Sequence, residues 1–285
     1  MKTRNKIQQE VVSCGVDAFT ATSRNKAASA LVTTVGHQAV AQQVRLGNIA
    51  HAVNYHGYVG TRAGSAMVAV NDQGQALIEL KGENCLLFAR RLYGAHINVT
   101  RIDLQITMRF PKDRPDLAKE VADAMPNERA KIVGKNWAKP RMTLGFGEGD
   151  TLYLGSRESN KFRRLYNKWL QSKDPLYKNC WRAEIEFKYD DAPTVWRLGQ
   201  DCDFSPIWIQ SIITTDFAGQ GCPLPVAHLG DAFVPGATRN ETDMEAKLAW
   251  IKQQVYPTMQ VLCDNGYKEP LMQMLLDLDS PNDAE

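Results

Sequence analysis

Residues 101–108 run Arg-Ile-Asp-Leu-Gln-Ile-Thr-Met and alternate strictly between polar and apolar side chains. A β-strand sends successive side chains to opposite faces, so this period of two predicts a strand with one covered and one open face. Residues 181–188, Trp-Arg-Ala-Glu-Ile-Glu-Phe-Lys, repeat the pattern. The polar side chains of these two predicted strands are Arg101, Asp103, Gln105, Thr107, Arg182, Glu184, Glu186 and Lys188.

A third segment, residues 162–169 with the sequence FRRLYNKW, fits either a strand or a helix. A helix would bury its three bulkiest apolar residues on one side. A strand would place Arg164, Tyr166 and Lys168 together on one face. We predict the strand, because residues 151–155, TLYLG, precede it by a short polar loop, as in a β-hairpin.

The order of the predicted elements indicates an α+β fold: a curved, mostly antiparallel β-sheet with helices on one face, plus a helical C-terminal region. Residues 1–200 form the predicted β-rich domain, with halves at about 11–110 and 141–190, and residues 201–285 form the helical region. The other predictions are a helix at 24–46, strands within 55–81 around a hairpin loop at 71–74, strands at 142–154 around a Gly-rich turn at 145–149, and helices at 239–262 and 268–278.

The composition excludes disordered, collagen-like and membrane-spanning proteins. The chain has 285 residues, of which 44% are hydrophobic and 23% charged, as is typical of a globular protein. It has no apolar run long enough for a membrane span and no CxxC pair among its six cysteines, so we expect a cytoplasmic protein with reduced thiols. Residues 129–190 carry 14 basic and 7 acidic side chains, whereas residues 191–285 carry 5 and 14. The basic middle favours a polyanionic partner.

Three carboxylates on the predicted open face, Asp103, Glu184 and Glu186, would lie near Tyr166 if the three strands share one sheet. Carboxylate oxygens suit Mg²⁺ or Mn²⁺, and such a cation stabilises the charge that develops in an in-line displacement at phosphorus. A tyrosine hydroxyl, with an ordinary pKa of about 10, becomes a nucleophile when nearby cations stabilise its phenolate. A solvated sheet face with cross-strand ion pairs accounts for the same residues, and this alternative stays open.

The run TLYLGSRESNKFRRLYNKW at 151–169, followed by WRAEIEFK at 181–188, resembles the replication initiation factor (Rep_trans) family. These proteins are rolling-circle initiators and related relaxases of plasmids, integrative elements and phages. TRIDLQI at 100–106 is similar to the family's Arg-x-Asp strand, and VDAFTAT at 16–22 fits its N-terminal pattern. The resemblance spans roughly residues 11–263.

The resemblance implies that residues 1–200 are an origin-specific, metal-dependent nicking and joining domain, which becomes attached to a DNA 5′ end through Tyr166. Asp103 and Glu184 are the implied acidic metal-site residues, and Glu186 is a further candidate. The implied phosphate contacts or site-organising cations are Arg101, Arg157, Arg163, Arg164, Lys168 and Arg182. The implied partners are origin DNA, cut as a single strand or an extruded hairpin, and a host helicase and polymerase in a bacterial cytoplasm. We assign the acidic tail to homodimer or host-factor contacts.

Two departures from the family pattern leave the number of metal ligands open. Thr107 stands where family members often carry a second acid, and the sequence has no His-hydrophobic-His pair. Two other functions also stay open. The protein would be a non-catalytic origin-binding protein if Tyr166 is structural, or a metal-dependent nuclease if water is the nucleophile.

Overall fold

The computed structural model describes residues 10–82, 84–123, 140–143, 150–226, 263–264 and 266–269, with 140–143 described by their backbone. The chain divides into two compact units, Met1–Gly236 and Ala237–Glu285. The predicted helix at 239–262 and turn at 145–149 lie outside the described residues, as does all but the start of the predicted helix at 268–278. The predicted domain boundary near residue 200 stays a prediction. None of the helices in the described ranges has the length and apolar character needed to cross a membrane.

The first unit is built on one sheet of ten strands in the order β2-β3-β4-β5-β1-β6-β10-β9-β8-β7. Every neighbouring pair in this order is antiparallel. The strands are β1 (Glu10–Ser23), β2 (Ala50–Tyr55), β3 (Tyr58–Ala63), β4 (Ala66–Val70), β5 (Ala76–Lys81), β6 (Ile97–Arg109), β7 (Pro140–Thr143), β8 (Thr151–Leu154), β9 (Lys161–Asn167) and β10 (Cys180–Lys188). This open sheet with its helices confirms the predicted α+β class.

The described helices are α1 (Lys26–Arg45), α2 (Cys85–Ala89), α3 (Leu117–Asp123), α4 (Lys168–Ser172), α5 (Asp191–Asp201) and α6 (Pro206–Gly219). Helix α1 packs on the β1 and β3–β5 part of the sheet, while α5 and α6 pack on β6 and β10. Under α5 and α6 lie the apolar side chains of both strands, from Ile102 to Met108 and from Trp181 to Phe187, all fully buried. Burying each large apolar side chain contributes about 1.5–3 kcal/mol, so this layer holds the polar side chains of β6 and β10 on the opposite face.

Local sequence signals fix where the helices begin. Asn25 caps α1, because its side-chain oxygen accepts a hydrogen bond from Ala28 N at 2.8 Å. Ser205 caps α6 in the same way, and Pro206 follows at the first helical position, where its missing N–H costs nothing. Inside α1, a Cβ on Gly36 would lie 2.5 Å from a methyl group of Val68, so glycine allows the helix to approach β4 closely.

Strand β1 is irregular, and this irregularity shapes the polar face. Its pairing with β6 shifts register between Val11 and Ser13 and again between Val16 and Ala18. A bulge inserts one extra residue and re-aims the side chains around it. The second bulge places the extra residue Asp17 beside the polar side chains of β6 and β10. Strand β5 pairs with β1 only over Ala18–Thr22, so the start of β1 is paired through β6.

Two predicted strand boundaries are wrong. The strand predicted at 162–169 ends at Asn167, whose side-chain oxygen accepts a hydrogen bond from Leu170 N at 3.0 Å and caps α4. Lys168 therefore begins a helix and does not share the strand face of Tyr166. The sheet also starts earlier than the predicted 55–81 region, because β2 begins at Ala50. Strand β2 is exposed at nearly every position, so no alternation of polar and apolar residues marks it.

Candidate active site

Strand register brings the polar side chains of β6, β10 and β9 into adjacent rows. Glu186 lies opposite Asp103 and Glu184 lies opposite Gln105 on β6. On the other side of β10, Glu184 lies opposite Arg164 and Arg182 lies opposite Tyr166 on β9. Residues directly opposite each other in a sheet point to the same face. The face turned away from α5 and α6 thus holds the three predicted acids, Arg164 and Tyr166, a set that we call the acid–tyrosine face.

Tyr166 is in direct contact with Glu184. Its hydroxyl donates a hydrogen bond to Glu184 Oε1 at 2.5 Å, and its ring is partly exposed on the sheet. Burial raises the pKa of Tyr166 above its ordinary value, and the neighbouring charge of Glu184 raises it further. The phenol is therefore neutral at physiological pH, and Glu184 is the group placed to accept its proton.

Arg164 connects two of the acids. Its Nη2 lies 2.6 Å from Glu184 Oε2 and 3.9 Å from Asp103 Oδ2. Burial acts to lower the pKa of Arg164, but the charges of Glu184 and Asp103 outweigh burial and raise it. Arg164 is therefore a permanent cation whose side chain is one quarter exposed, at 26%. It can meet a phosphate that arrives at Tyr166.

Asp103 is almost fully buried and is held by Arg101. The guanidinium of Arg101 donates two hydrogen bonds to the Asp103 carboxylate, at 2.8 and 2.5 Å, and its Nη2 lies 3.1 Å from Glu186 Oε2. Burial raises the pKa of Asp103 to about 6, although the hydrogen bonds and charge of Arg101 act to lower it. Lys188 Nζ completes the row, 2.7 Å from Glu186 Oε1. Cross-strand ion pairs, the alternative explanation of these residues, are thus present on this face. They lie around Tyr166.

Arg182 is a buried cation that joins this face to β1. Its Nε donates a hydrogen bond to Thr107 Oγ1 at 2.9 Å, and its Nη1 lies 3.4 Å from Asp17 Oδ1 and 3.9 Å from Glu184 Oε1. Asp17 is a residue of this face that the sequence pattern does not predict. Its place in the VDAFTAT run is the sequence signal that points to Asp17. The alternation of side chains in a strand does not predict which face a bulged residue takes.

Three predicted site cations are not part of these strand rows. Arg163 points to the helix side of β9, where it forms a buried ion pair with Asp216 of α6. Lys168 donates a hydrogen bond to Gln171 Oε1 at 2.8 Å within α4. Arg157 lies in the loop before β9, with its guanidinium 5.3 Å from the centroid of the Phe162 ring. Because Phe162 lies opposite Glu186, Arg157 stands beside the end of the acid–tyrosine face.

Asp103, Glu184 and Glu186 need oxygen atoms from a bound molecule to complete a site for a divalent cation. In the described ranges, no group of three or more His, Cys, Asp or Glu side chains has an arrangement that could enclose a metal ion. Mg²⁺ is usually bound by one or two carboxylates plus substrate phosphate oxygens, so a complete protein cage is not required. Among the residues that the structure describes, the buried Glu184 Oε2 has no partner in hydrogen-bond geometry, although Arg164 Nη2 lies 2.6 Å away. Binding of Mg²⁺ or Mn²⁺ by Asp103 and Glu184, with a phosphate supplying the remaining oxygens, stays a prediction.

Comparison with known proteins identifies the part of the chain that carries this face. Residues 97–219 match the family model for replication initiation factor. This segment is similar to replication initiation factors. The replication initiation factor segment runs from β6 to α6 and contains every predicted site residue, so the resemblance found in the sequence is confirmed here. No curated protein matches the chain.

A solved structure supports this fold, and its match covers more of the chain than the family model does. The rolling circle replication initiator protein from Geobacillus stearothermophilus is similar to this chain with a TM-score of 0.50 and 18% sequence identity. The match covers 74% of this chain and 85% of that protein. At this identity the similarity concerns the fold.

Proposed function

We propose that this protein initiates rolling-circle replication by nicking and rejoining one strand of origin DNA through a covalent phosphotyrosine at Tyr166. The observation that carries the proposal is the 2.5 Å hydrogen bond from the Tyr166 hydroxyl to Glu184 Oε1, next to the cation of Arg164. A nucleophile in contact with a base, and a base held by a third group, is the arrangement that nucleophilic catalysis needs. The family match of residues 97–219 supports the replication role.

The reaction begins when the Tyr166 hydroxyl gives its proton to Glu184. The phenolate oxygen forms a bond to phosphorus, and the bond from phosphorus to the 3′ oxygen of the preceding nucleotide breaks. That oxygen keeps the electron pair, takes a proton from water and becomes the free 3′-OH that primes synthesis. Because the phosphotyrosine keeps a phosphodiester bond, attack by a 3′-OH on the same phosphorus rejoins the strand and releases Tyr166.

The cations of the face stabilise the charge on phosphorus during this displacement. Arg164 and Arg101 are partly exposed, with 26% and 32% of their side chains accessible, so both can turn toward a bound phosphate. Arg182 stays buried, and its Nη1, 3.9 Å from Glu184 Oε1, helps to orient that carboxylate. When bound by Asp103 and Glu184, Mg²⁺ or Mn²⁺ would polarise a non-bridging phosphate oxygen.

The substrate strand has to be unpaired at the nick. A phenol that rises only one side chain from a sheet cannot reach phosphorus in an intact duplex, so we propose that an extruded hairpin or melted segment enters the site. A host helicase and polymerase would then extend the 3′-OH. A homodimer at the origin is part of the same proposal.

A supercoiled plasmid that carries the DNA flanking the gene tests the proposal. Incubation with the full-length protein and Mn²⁺, followed by denaturation, should leave a DNA–protein adduct that protease removes. Tyr166→Phe should form no adduct. Tyr189→Phe is the matched control, because Tyr189 is an exposed tyrosine just beyond β10, and it should form the adduct as the wild type does.

The other candidate functions give different results in this assay. Nicking without an attached protein, retained in Tyr166→Phe, would indicate a nuclease that uses water. Binding without nicking would indicate a non-catalytic initiator. Either result would overturn the phosphotyrosine proposal.

A further inference from the structure

A groove opens on the sheet beside the acid–tyrosine face. Its volume is about 590 Å³, within the range of roughly 300–1,000 Å³ that small-ligand pockets have. The first half of β1 forms its floor, and Gln105, Arg109 and the short turn at 175–177 form its sides. The lining of the groove includes Ser13, Gly15, Asp17, Gln105, Leu176 and Tyr177.

The groove is continuous with the candidate active site. Gln105 lies directly opposite Glu184 in the register of β6 and β10, and Glu184 accepts the hydrogen bond of Tyr166. Arg182 makes a second connection, because it lies 3.4 Å from Asp17 of the groove and 3.9 Å from Glu184. The groove therefore begins one strand away from the acid that contacts the nucleophile.

The floor has room because residue 15 is a glycine. Gly15 lies on β1 opposite Gln105, and a Cβ added there would meet only Gln105 Nε2, at 3.8 Å. Glycine weakens a strand, and in a strand it often marks a place where a ligand approaches the backbone. Any side chain larger than alanine at this position would extend into the groove.

The walls offer the chemistry of a nucleobase site. Tyr177 supplies an aromatic side chain, whose ring centroid lies 5.7 Å from the Arg182 guanidinium carbon and 5.5 Å from Lys168 Nζ. Leu176 supplies exposed apolar surface beside it. Gln105 supplies an amide, whose Oε1 accepts a hydrogen bond from Thr107 Oγ1 at 3.0 Å and whose Nε2 donates only a long one of 3.4 Å to Ser13 Oγ. The amide N–H is therefore the group that can turn to an acceptor on a base edge.

We propose that this groove binds the bases of one or two unpaired nucleotides adjacent to the scissile phosphate. The choice of ligand rests on the proposed function, since the groove leads to Tyr166. A base lies over Gly15, packs against Tyr177 and Leu176, and pairs its edge with Gln105. The groove thereby selects single-stranded DNA and sets which phosphate reaches the tyrosine.

Binding of two single-stranded probes to the full-length protein without divalent cation tests this inference. The probes are a fluorescent dT 20-mer and an abasic 20-mer with the same number of phosphates. We expect Gly15→Leu to weaken binding of the dT 20-mer by about fivefold or more, because the new side chain fills the base site. Binding of the abasic strand should change less than about twofold, since phosphate contacts lie elsewhere.

Gly219→Leu is the control, because Gly219 is an exposed glycine at the end of α6 with nothing within 4 Å of an added Cβ. It should bind both probes as the wild type does. If Gly15→Leu does not fold, Tyr177→Leu carries the same expectation through loss of the aromatic wall. Wild-type affinity for the dT 20-mer in either folded variant, or an equal loss for both probes, would overturn the inference.

The assay separates this inference from the proposed function. It measures binding alone and needs no nicking, so loss of base-dependent binding in Gly15→Leu supports the groove even if no adduct ever forms. If Gly15→Leu binds the dT 20-mer and forms the adduct as the wild type does, the inference that this groove binds bases is overturned. The phosphotyrosine mechanism would then stay intact.

Discussion

Tyr166 and Glu184 lie on neighbouring antiparallel strands, and a 2.5 Å hydrogen bond joins the phenol to the carboxylate. The contact runs diagonally, because Tyr166 lies directly opposite Arg182 and Glu184 lies directly opposite Arg164. One carboxylate, Glu184, and two arginines, Arg164 and Arg182, therefore surround the phenol. Burial and the charge of Glu184 keep the pKa of Tyr166 above its ordinary value, so proton transfer to Glu184 is the step by which the phenol becomes a nucleophile.

Glu184→Gln tests that step. Glutamine keeps the size of the side chain but cannot accept the proton, so adduct formation should slow by about 100-fold or more. Affinity for single-stranded DNA should change little. The matched control is Glu120→Gln, an exposed glutamate on α3 that should leave the rate unchanged. Adduct formation at the normal rate in Glu184→Gln would show that another group takes the proton.

Two adjacent arginines should behave in opposite ways. Arg163 is buried against Asp216 on the helix side, whereas Arg164 lies beside Glu184 on the acid–tyrosine face. Arg163→Gln should lower the free energy of unfolding by about 3 kcal/mol, because it leaves the buried Asp216 carboxylate with Lys161 as its remaining cation. Arg164→Gln should mainly slow adduct formation. Urea unfolding and the adduct assay on both variants check this, and a reversed pattern would contradict the assigned faces.

The ion pair of Asp216 should make stability depend on pH. Burial acts to raise the pKa of Asp216, but hydrogen bonds and charge from Arg163 and Lys161 outweigh burial and lower it. A carboxyl group with a lowered pKa in the folded state stabilises the fold above its ordinary pKa of about 4, and this contribution is lost as the pH falls below that value. Asp216→Asn should therefore be less stable than the wild type at pH 7, and the difference should shrink at pH 3. An equal difference at both pH values in urea unfolding would refute the assignment.

Removal of metal should stop adduct formation, and Mg²⁺ or Mn²⁺ should restore it. Asp103→Asn should raise the Mn²⁺ concentration needed for half-maximal rate by about tenfold or more, because an amide is a weaker ligand than a carboxylate. Asp123→Asn, an exposed aspartate on α3, is the control and should leave the Mn²⁺ requirement unchanged. Adduct formation that is unaffected by a chelator would exclude the metal role of Asp103.

The core under the face depends on Trp181, the largest fully buried side chain of the described residues. Within the described part of the chain its indole nitrogen has no hydrogen-bond partner, so replacement by phenylalanine loses volume but no hydrogen bond. We expect Trp181→Ala to cost about 3–5 kcal/mol of unfolding free energy and Trp181→Phe clearly less. Chemical unfolding of both variants measures the difference, and similar losses would indicate that the indole nitrogen is bonded after all.

The local sequence predicted the faces of the strands well. Alternation alone assigned Asp103, Glu184 and Glu186 to one face, because side-chain direction in a strand depends only on whether a position is odd or even. The same rule placed Arg164 beside Tyr166, whereas Arg163, which was predicted as a phosphate contact, lies on the helix side against Asp216. It could not place Lys168, because the strand ends at Asn167, where a side-chain cap starts a helix instead.

The sequence by itself determined the class of fold, the polar face and the resemblance to replication initiation factors, since these follow from periodicity and from local motifs. Only the tertiary structure decided that Tyr166 touches Glu184, that Arg163 pairs with Asp216, and that Gly15 and Tyr177 border one groove. These contacts join segments far apart in the chain. They depend on strand register, on bulges and on the packing of α6, all of which arise from the whole core and leave no mark on a single strand.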